Sequence, residues 1–183
     1  MLQRRVSQDQ QEIALLAAVQ RRIAVPQVVR AARGLSYFGE HALGWLALGA
    51  LGALIDRRRR RDWLASAAAV AAAHGTSIAV KRVVRRQRPT DPSVEVLAGT
   101  PSQLSFPSSH AASTTAAAVL YGGLLRRRLS PALVPPMLIS RLVLGVHYPS
   151  DVLVGSALGA VIGAGVRRRL RGWVPGTGQR GQR

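Results

Sequence analysis

Five apolar blocks, at residues 35–55, 63–80, 111–125, 133–146 and 152–166, alternate with short, strongly basic connections along the chain. A helix that crosses a bilayer core needs about 20 residues, with roughly 17 as the lower limit. The shorter blocks are therefore expected to run on into the polar residues that flank them. Ahead of the first block the pattern changes. Ile13, Leu16, Ala17 and Ile23 recur at near-helical spacing, with Glu12, Gln20, Arg21 and Arg22 between them. That pattern predicts an amphipathic helix lying on a membrane surface, kinked or divided at Pro26. The alternative for this segment is a solvated basic arm. The blocks are rich in small residues, as in ASAAAVAAA (65–73) and GSALGAVIGAG (155–165). Small residues let helix backbones approach closely in lipid, which favours a membrane protein over a soluble helical one. The expected fold class is all-α. It is a polytopic membrane helix bundle of about five transmembrane helices with an N-terminal amphipathic surface helix. The expected organisation is an interfacial segment over 1–33, a membrane-embedded domain over 34–172 and a disordered tail over 173–183.

Charge sharpens this picture. The net charge is +18 although 48% of residues are hydrophobic. Either a nucleic-acid binder or a membrane protein with basic loops has such totals. A nucleic-acid binder gathers its cations on one face or arm among polar residues. Here they stand in clumps between apolar blocks, at 57–62, 126–128 and 167–171, so no nucleic-acid partner is expected. The clumps follow blocks one, three and five, so alternating spans bring all three to one face. They hold twelve arginines, and the positive-inside rule makes that face cytoplasmic. Loops 81–110 and 147–151 then lie on the extracytoplasmic face of the plasma membrane, together with the N-terminal helix, and the C-terminus is cytoplasmic. The N-terminus has no cleavable signal pattern. The absence of cysteine excludes disulfides and thiolate metal sites.

Every candidate chemical residue falls on that outer face. Arg141 stands inside an apolar run, where a charge reads by default as functional. His147 and Asp151 follow, four residues apart, close enough for the carboxylate to orient the ring and leave its other nitrogen free as a nucleophile. Lys81, Arg85 and Arg88 are spaced to share a helix face, although Pro89 disfavours helix at Arg88. Cations without a carboxylate among them suit phosphate. In FPSSH (106–110), Ser108 or Ser109 can cap the third block, whose free N–H groups form an anion site beside His110. Each cluster also has a plainer reading: a helix touching lipid headgroups, a simple cap, a histidine–carboxylate pair closing a loop. Two histidines and one aspartate could hold a metal, but the surrounding cations oppose one. The same cations suit the spread negative charge of a transferring phosphoryl group. Metal-independent phosphoryl transfer, without a cofactor, is the expectation.

Together the clusters resemble the signature of the type 2 phosphatidic acid phosphatase superfamily, the lipid phosphate phosphatases. Lys81, Arg88 and Pro89 match its first motif. Pro107, Ser108, Ser109 and His110 match its second, with Ser109 in place of glycine. Ser140, Arg141, His147 and Asp151 match its third. The resemblance implies that His147 attacks phosphorus to form a phosphohistidine. It makes His110 the proton donor to the leaving oxygen and Asp151 the residue that orients His147. It also implies that Lys81, Arg88, Ser108, Ser109 and Arg141 hold the phosphate, with no metal. Members usually have a six-helix core, and by that standard this chain is expected to lack the first span. The runs KRVVRRQRP, SFPSSHAASTTAAAVL and SRLVLGVHYPSDVL resemble more closely the branch that acts on a polyprenyl-linked phosphoribose in cell-wall arabinan synthesis. A polyprenyl-diphosphate or phosphatidate phosphatase is the rival within the class. A non-enzymatic basic protein binding anionic lipid is the rival outside it. The implied partners are a polyprenyl-linked phosphate lipid substrate and membrane lipid. The sequence does not set the oligomeric state.

Overall fold

A computed structural model describes residues 2–172, so the tail expected at 173–183 lies outside the described residues. Among them the chain is helical, with one isolated bridge between Gln87 and Leu104. The helices are α1 (Leu2–Ile23), α2 (Pro26–Gly39), α3 (Leu43–Ile55), α4 (Arg60–Val84), α5 (Ser109–Leu124), α6 (Ser130–Val143) and α7 (Pro149–Gly172). Short 3₁₀ turns at Glu40–Ala42 and Arg57–Arg59 join α2 to α3 and α3 to α4.

Proline and charge place the element ends. Pro26 and Pro149 occupy first-turn positions of α2 and α7, where the missing N–H costs nothing. Pro26 divides α1 from α2, and α2 runs through residue 33, the expected limit of the surface segment. The first apolar block is not one straight helix. It breaks at His41 and Ala42, which both adopt left-handed φ angles of 49° and 61°. The stretch Pro26–Ile55 is still long and apolar enough to cross a membrane, as are Arg57–Val84 and Pro149–Leu170. The shorter α6 is apolar as well. The chain is an integral-membrane helix bundle.

At its centre runs α5, buried along nearly its whole length. Its closest neighbour is α7, and glycine is the reason. A Cβ at Gly155 or Gly159 would collide with the carbonyl oxygens of Ser108 and Ala112, and one at Gly163 would lie 3.2 Å from Val119 Cβ. These three positions recur every four residues and form one stripe, so the backbones meet directly at Gly155 and Gly159, and Gly163 makes room for Val119. Polar side chains add bonds inside the bundle. Trp45 Nε1 donates to Thr114 Oγ1 at 3.0 Å, Tyr121 OH to the Trp45 carbonyl at 2.8 Å, and Thr115 pairs with Ser156 at 2.9 Å.

The arginine clumps gather at one end of the bundle. Arg59 donates to the carbonyl of Leu124, at the foot of α5, at 2.6 Å, and Arg167 lies against Gly123. The N-terminus of α5 marks the opposite end. There α1 packs Leu16 and Ala17 against Val94 and Leu142. Part of the apolar stripe expected to face lipid therefore covers the protein itself. Gln20 reinforces this contact, donating to the carbonyls of Glu95 at 2.7 Å and Val143 at 3.0 Å.

Gly159→Val should lower the melting midpoint of the detergent-solubilised protein, at a cost of about 1–3 kcal/mol for overpacking a close backbone contact. Gly75→Ala, where nothing lies within 4 Å of the added carbon, should hold or raise it. Matched thermal melts of the two variants check the pair.

Candidate active site

The segment Lys81–Pro89 does not form the single helical face expected of it. The helix α4 stops at Val84, and Arg85 closes it with φ 56° and an N–H bond to the Lys81 carbonyl. Pro89 excludes helix just beyond, so the chain runs extended against the returning loop. Arg88 N donates to Gln103 O at 3.1 Å and Ser105 N to Arg86 O at 2.8 Å. Lys81 and Arg88 still meet, but across a helix end and a strand-like segment.

Lys81 is buried, and its ammonium donates to the carbonyls of Ser105 at 2.7 Å and Leu104 at 3.3 Å. Arg88 donates through Nε to Ser102 O at 2.8 Å and through Nη1 to Val146 O. Burial lowers its pKa to about 10, so it remains a cation at neutral pH. Arg141, 2% exposed, donates through Nε to Ser140 Oγ at 3.3 Å. Its Nη2 is buried without a hydrogen-bond partner. A charged donor left unpaired in the interior is costly, and an anion between these three cations removes that cost.

His147 faces this cation group with a defined tautomer. Nδ1 lies 3.4 Å from Asp151 Oδ2, and Nε2 lies 3.3 Å from Arg88 Nη1. A carboxylate accepts and a guanidinium donates, so the proton sits on Nδ1 and the Nε2 lone pair points toward the cations. Burial, then the Arg88, Lys81 and Arg141 charges, hold the imidazole well below its ordinary pKa. It is neutral at physiological pH. Gly145 makes the approach possible. It turns the chain out of α6 with φ 67°, and a Cβ there would strike the Glu95 carbonyl.

His110, in the first turn of α5, has Nε2 3.1 Å from the Ser36 carbonyl. Because a carbonyl only accepts, that contact keeps a proton on Nε2. Gly39 backs the same ring, since a Cβ there would come within 2.7 Å of it. Lys81, Arg88, Ser109, His110, Arg141 and His147 all line one cavity of about 570 Å³. Ser108 does not. Its hydroxyl caps α5 by accepting from Ala111 N at 3.4 Å, and its own N–H goes to the Asp151 carbonyl at 2.9 Å. Its N–H is thus committed to the protein, and its hydroxyl oxygen serves as the helix cap. Ser109 does line the cavity, and its Oγ accepts from Ser77 Oγ at 2.7 Å. Asp151 stands behind His147 with no exposed surface. Among the described residues no group of three His, Asp or Glu side chains is placed to hold a metal ion.

One charged hub escaped the sequence reading. Arg86 donates to Asp151 Oδ1 at 3.1 Å, Ser150 Oγ at 2.6 Å, Asp9 Oδ1 at 2.6 Å and Glu12 Oε1 at 3.1 Å, with its guanidinium 3.9 Å above the Tyr148 ring. Glu12 also accepts from Ser150 N at 2.9 Å. Arg86 thereby ties α1 to the carboxylate that orients His147. The available signal was Asp9 and Glu12, two of only eight acidic residues, spaced i, i+3 on one helix face.

The chain is 53% identical over 167 residues to the decaprenylphosphoryl-5-phosphoribose phosphatase of Mycobacterium tuberculosis, covering 87% of this chain and 94% of the relative. It is 55% identical over 145 residues to the enzyme of the same name from Mycolicibacterium smegmatis, covering 79% and 81%. Two crystal structures share the fold. The transmembrane phosphatidylglycerolphosphate phosphatase of Bacillus subtilis superposes with TM-score 0.78 at 21% identity, covering 91% of this chain and 88% of that one. LpxE of Aquifex aeolicus gives 0.71 at 19%, covering 85% and 93%. The PAP2 superfamily profile matches residues 62–173, which hold all three motifs, and the chain belongs to that superfamily.

Proposed function

We propose that this protein is an integral-membrane, metal-independent phosphatase that removes the terminal phosphomonoester of a polyprenyl-linked phosphoribose. The observation that carries the chemistry is the buried, unpaired Nη2 of Arg141, a residue that lines the same cavity as Lys81, Arg88 and His147, where His147 Nε2 presents its lone pair. The likeness to the mycobacterial relatives over most of their length supports the choice of lipid. In cells the reaction serves the making of a cell-wall arabinan precursor.

The reaction has two displacements. His147 Nε2 attacks phosphorus, the N–P bond forms and the ester P–O bond breaks. His110 enters the step as the imidazolium, keeps its Nε2 proton on the Ser36 carbonyl and gives its second proton, from Nδ1, to the departing sugar oxygen, leaving the neutral ring. In the second step His110 takes a proton from water, the water oxygen attacks phosphorus, and the N–P bond breaks to release phosphate and restore His147. Arg88 moves its Nη1 contact from His147 to a phosphoryl oxygen as substrate enters. Lys81, Arg141 and Ser109 hold the remaining oxygens in place of solvent. Asp151 keeps the His147 proton on Nδ1 and stabilises the charged ring that forms. Ser108 contributes by capping α5 and by its bond to the Asp151 backbone.

The gathering of twelve arginines at the end away from the cavity supports a cytoplasmic clump face and an extracytoplasmic site. A topology reporter fused at Arg183 should read cytoplasmic, and one joined ahead of α1 should read extracytoplasmic. The reverse pattern would invert the orientation.

Phosphate release from the purified protein in EDTA should be fastest with phosphoribosyl polyprenyl phosphate, ahead of polyprenyl diphosphate and phosphatidate. His147→Ala should lower kcat by about 10³-fold or more, and His110→Ala by about 10²–10⁴-fold. Lipid association should persist in both. Full activity in both histidine variants would overturn the phosphohistidine mechanism, and a wild type that binds lipid but releases no phosphate would favour a lipid-binding protein without catalysis.

The buried neutral His147 also predicts a stability profile. Unfolding returns its depressed pKa to about 6.5. Between those two values the unfolded state binds a proton that the folded state lacks, so stability falls as pH drops below about 6.5. In phosphate-free buffer, His147→Gln should flatten the dependence of the melting midpoint between about pH 7 and pH 5.

A further inference from the structure

The cavity extends well beyond the groups that surround the reacting phosphate. Its far wall is built from Tyr37, Glu40, His41 and His74, with Arg33 and Arg82 exposed at the mouth. None of these belongs to the three motifs. The His41 and His74 rings lie side by side in the wall, with centroids 6.2 Å apart and planes tilted by 58°. His74 Nδ1 is buried without a hydrogen-bond partner. His41 and Ala42 hold consecutive left-handed conformations, which residues with a Cβ rarely adopt. Strain of this kind persists where the surrounding structure demands it, often at ligand sites.

Displacement at phosphorus gives this wall its meaning. The attacking and leaving atoms lie on opposite sides of the phosphorus. His147 marks one side, and His110, as proton donor, marks the other. His110 rests on α2 through Ser36 O and Gly39. The residues that follow on the same segment, Glu40 and His41, therefore border the leaving alcohol, with His74 facing them from α4. One carboxylate and two imidazoles supply donors and acceptors suited to hydroxyl groups. They are unsuited to a hydrocarbon tail. Two arginines at the mouth suit a second anionic group further along the substrate.

Resting on the phosphatase reading above, we propose that Glu40, His41 and His74 form a leaving-group subsite. It binds the ring hydroxyls of a phosphorylated sugar, and Arg33 and Arg82 meet the phosphodiester that links the sugar to its lipid. The subsite makes the enzyme select for a polyhydroxylated leaving group over a glyceride or a plain alcohol.

The test uses full-length protein in detergent, with p-nitrophenyl phosphate as a substrate that lacks hydroxyls. Ribose 5-phosphate should inhibit its hydrolysis about tenfold more strongly than inorganic phosphate does, and that ratio should collapse in Glu40→Gln and His74→Phe. With phosphoribosyl polyprenyl phosphate as substrate, the same variants should lose about tenfold in kcat/KM relative to p-nitrophenyl phosphate. His41→Gly keeps the left-handed backbone while removing the ring, and should show the same relative loss. Equal losses on both substrates, or an unchanged inhibition ratio, would overturn the subsite. A wild type that prefers ribose 5-phosphate but does not cleave the phosphoribosyl lipid would leave the subsite standing and defeat the lipid assignment. Cleavage of that lipid with unchanged selectivity in all three variants would do the opposite.

Discussion

The close approach of α5 and α7 is the contact on which the site depends. Gly155 and Gly159 leave no side chain between the two backbones, and Gly163 makes room for Val119. At the outer end, Ser108 N–H closes the contact on the Asp151 carbonyl. That one bond sets the start of the helix bearing His110 beside the start of the helix bearing Asp151. A side chain in the stripe would separate the helices and, with them, the two histidines. Lipid tails supply no hydrophobic force to press helices together, so dispersion at close range and a few hydrogen bonds must do so.

Around that contact, buried charge is handled in two ways. Behind His147, Asp151 is fully satisfied by His147, the Tyr148 N–H and Arg86. Arg86 carries the chain of bonds outward to Asp9 and Glu12 on α1. In front of His147 the balance is left open. Lys81, Arg88 and Arg141 have backbone or hydroxyl partners but no carboxylate among those bonds, and Arg141 keeps one nitrogen unpaired. A rigid, satisfied rear and a cationic, unsatisfied front suit a site that must hold an anion without rearranging. The long loop 89–107 is part of this frame. Leu97 bonds back to Leu144 at 3.0 Å, and Leu104 and Ser105 accept from Lys81.

The N-terminal segment makes protein contacts that its pattern did not suggest. As an amphipathic helix it was expected to spread on lipid. It also holds down the loop through Leu16, Ala17 and Gln20 and anchors the hub at Arg86. The α2 segment after Pro26 is equally involved, since Ser36 and Gly39 form the seat of His110.

The apolar blocks, their small residues and the arginine clumps determined by themselves that this is a helical membrane protein. The cost of exposing backbone polar groups to lipid leaves helices as the consistent outcome for such blocks. Three motifs with fixed spacing were enough to name Lys81, Arg88, Ser109, His110, Arg141 and His147, which line the cavity together. Tertiary structure alone decided how they meet. Lys81 and Arg88 converge across a helix end rather than along one face, because Arg85 closes α4 and Pro89 bars its continuation. Ser108 turned inward, because the helix start and the Asp151 carbonyl each claimed one of its groups. Arg86 left only the Asp9–Glu12 pair as a signal, and Ser36, Gly39 and the His41–His74 wall were illegible in the chain. Their partners lie dozens of residues away, and periodicity records which way a side chain faces but not what the fold brings to meet it.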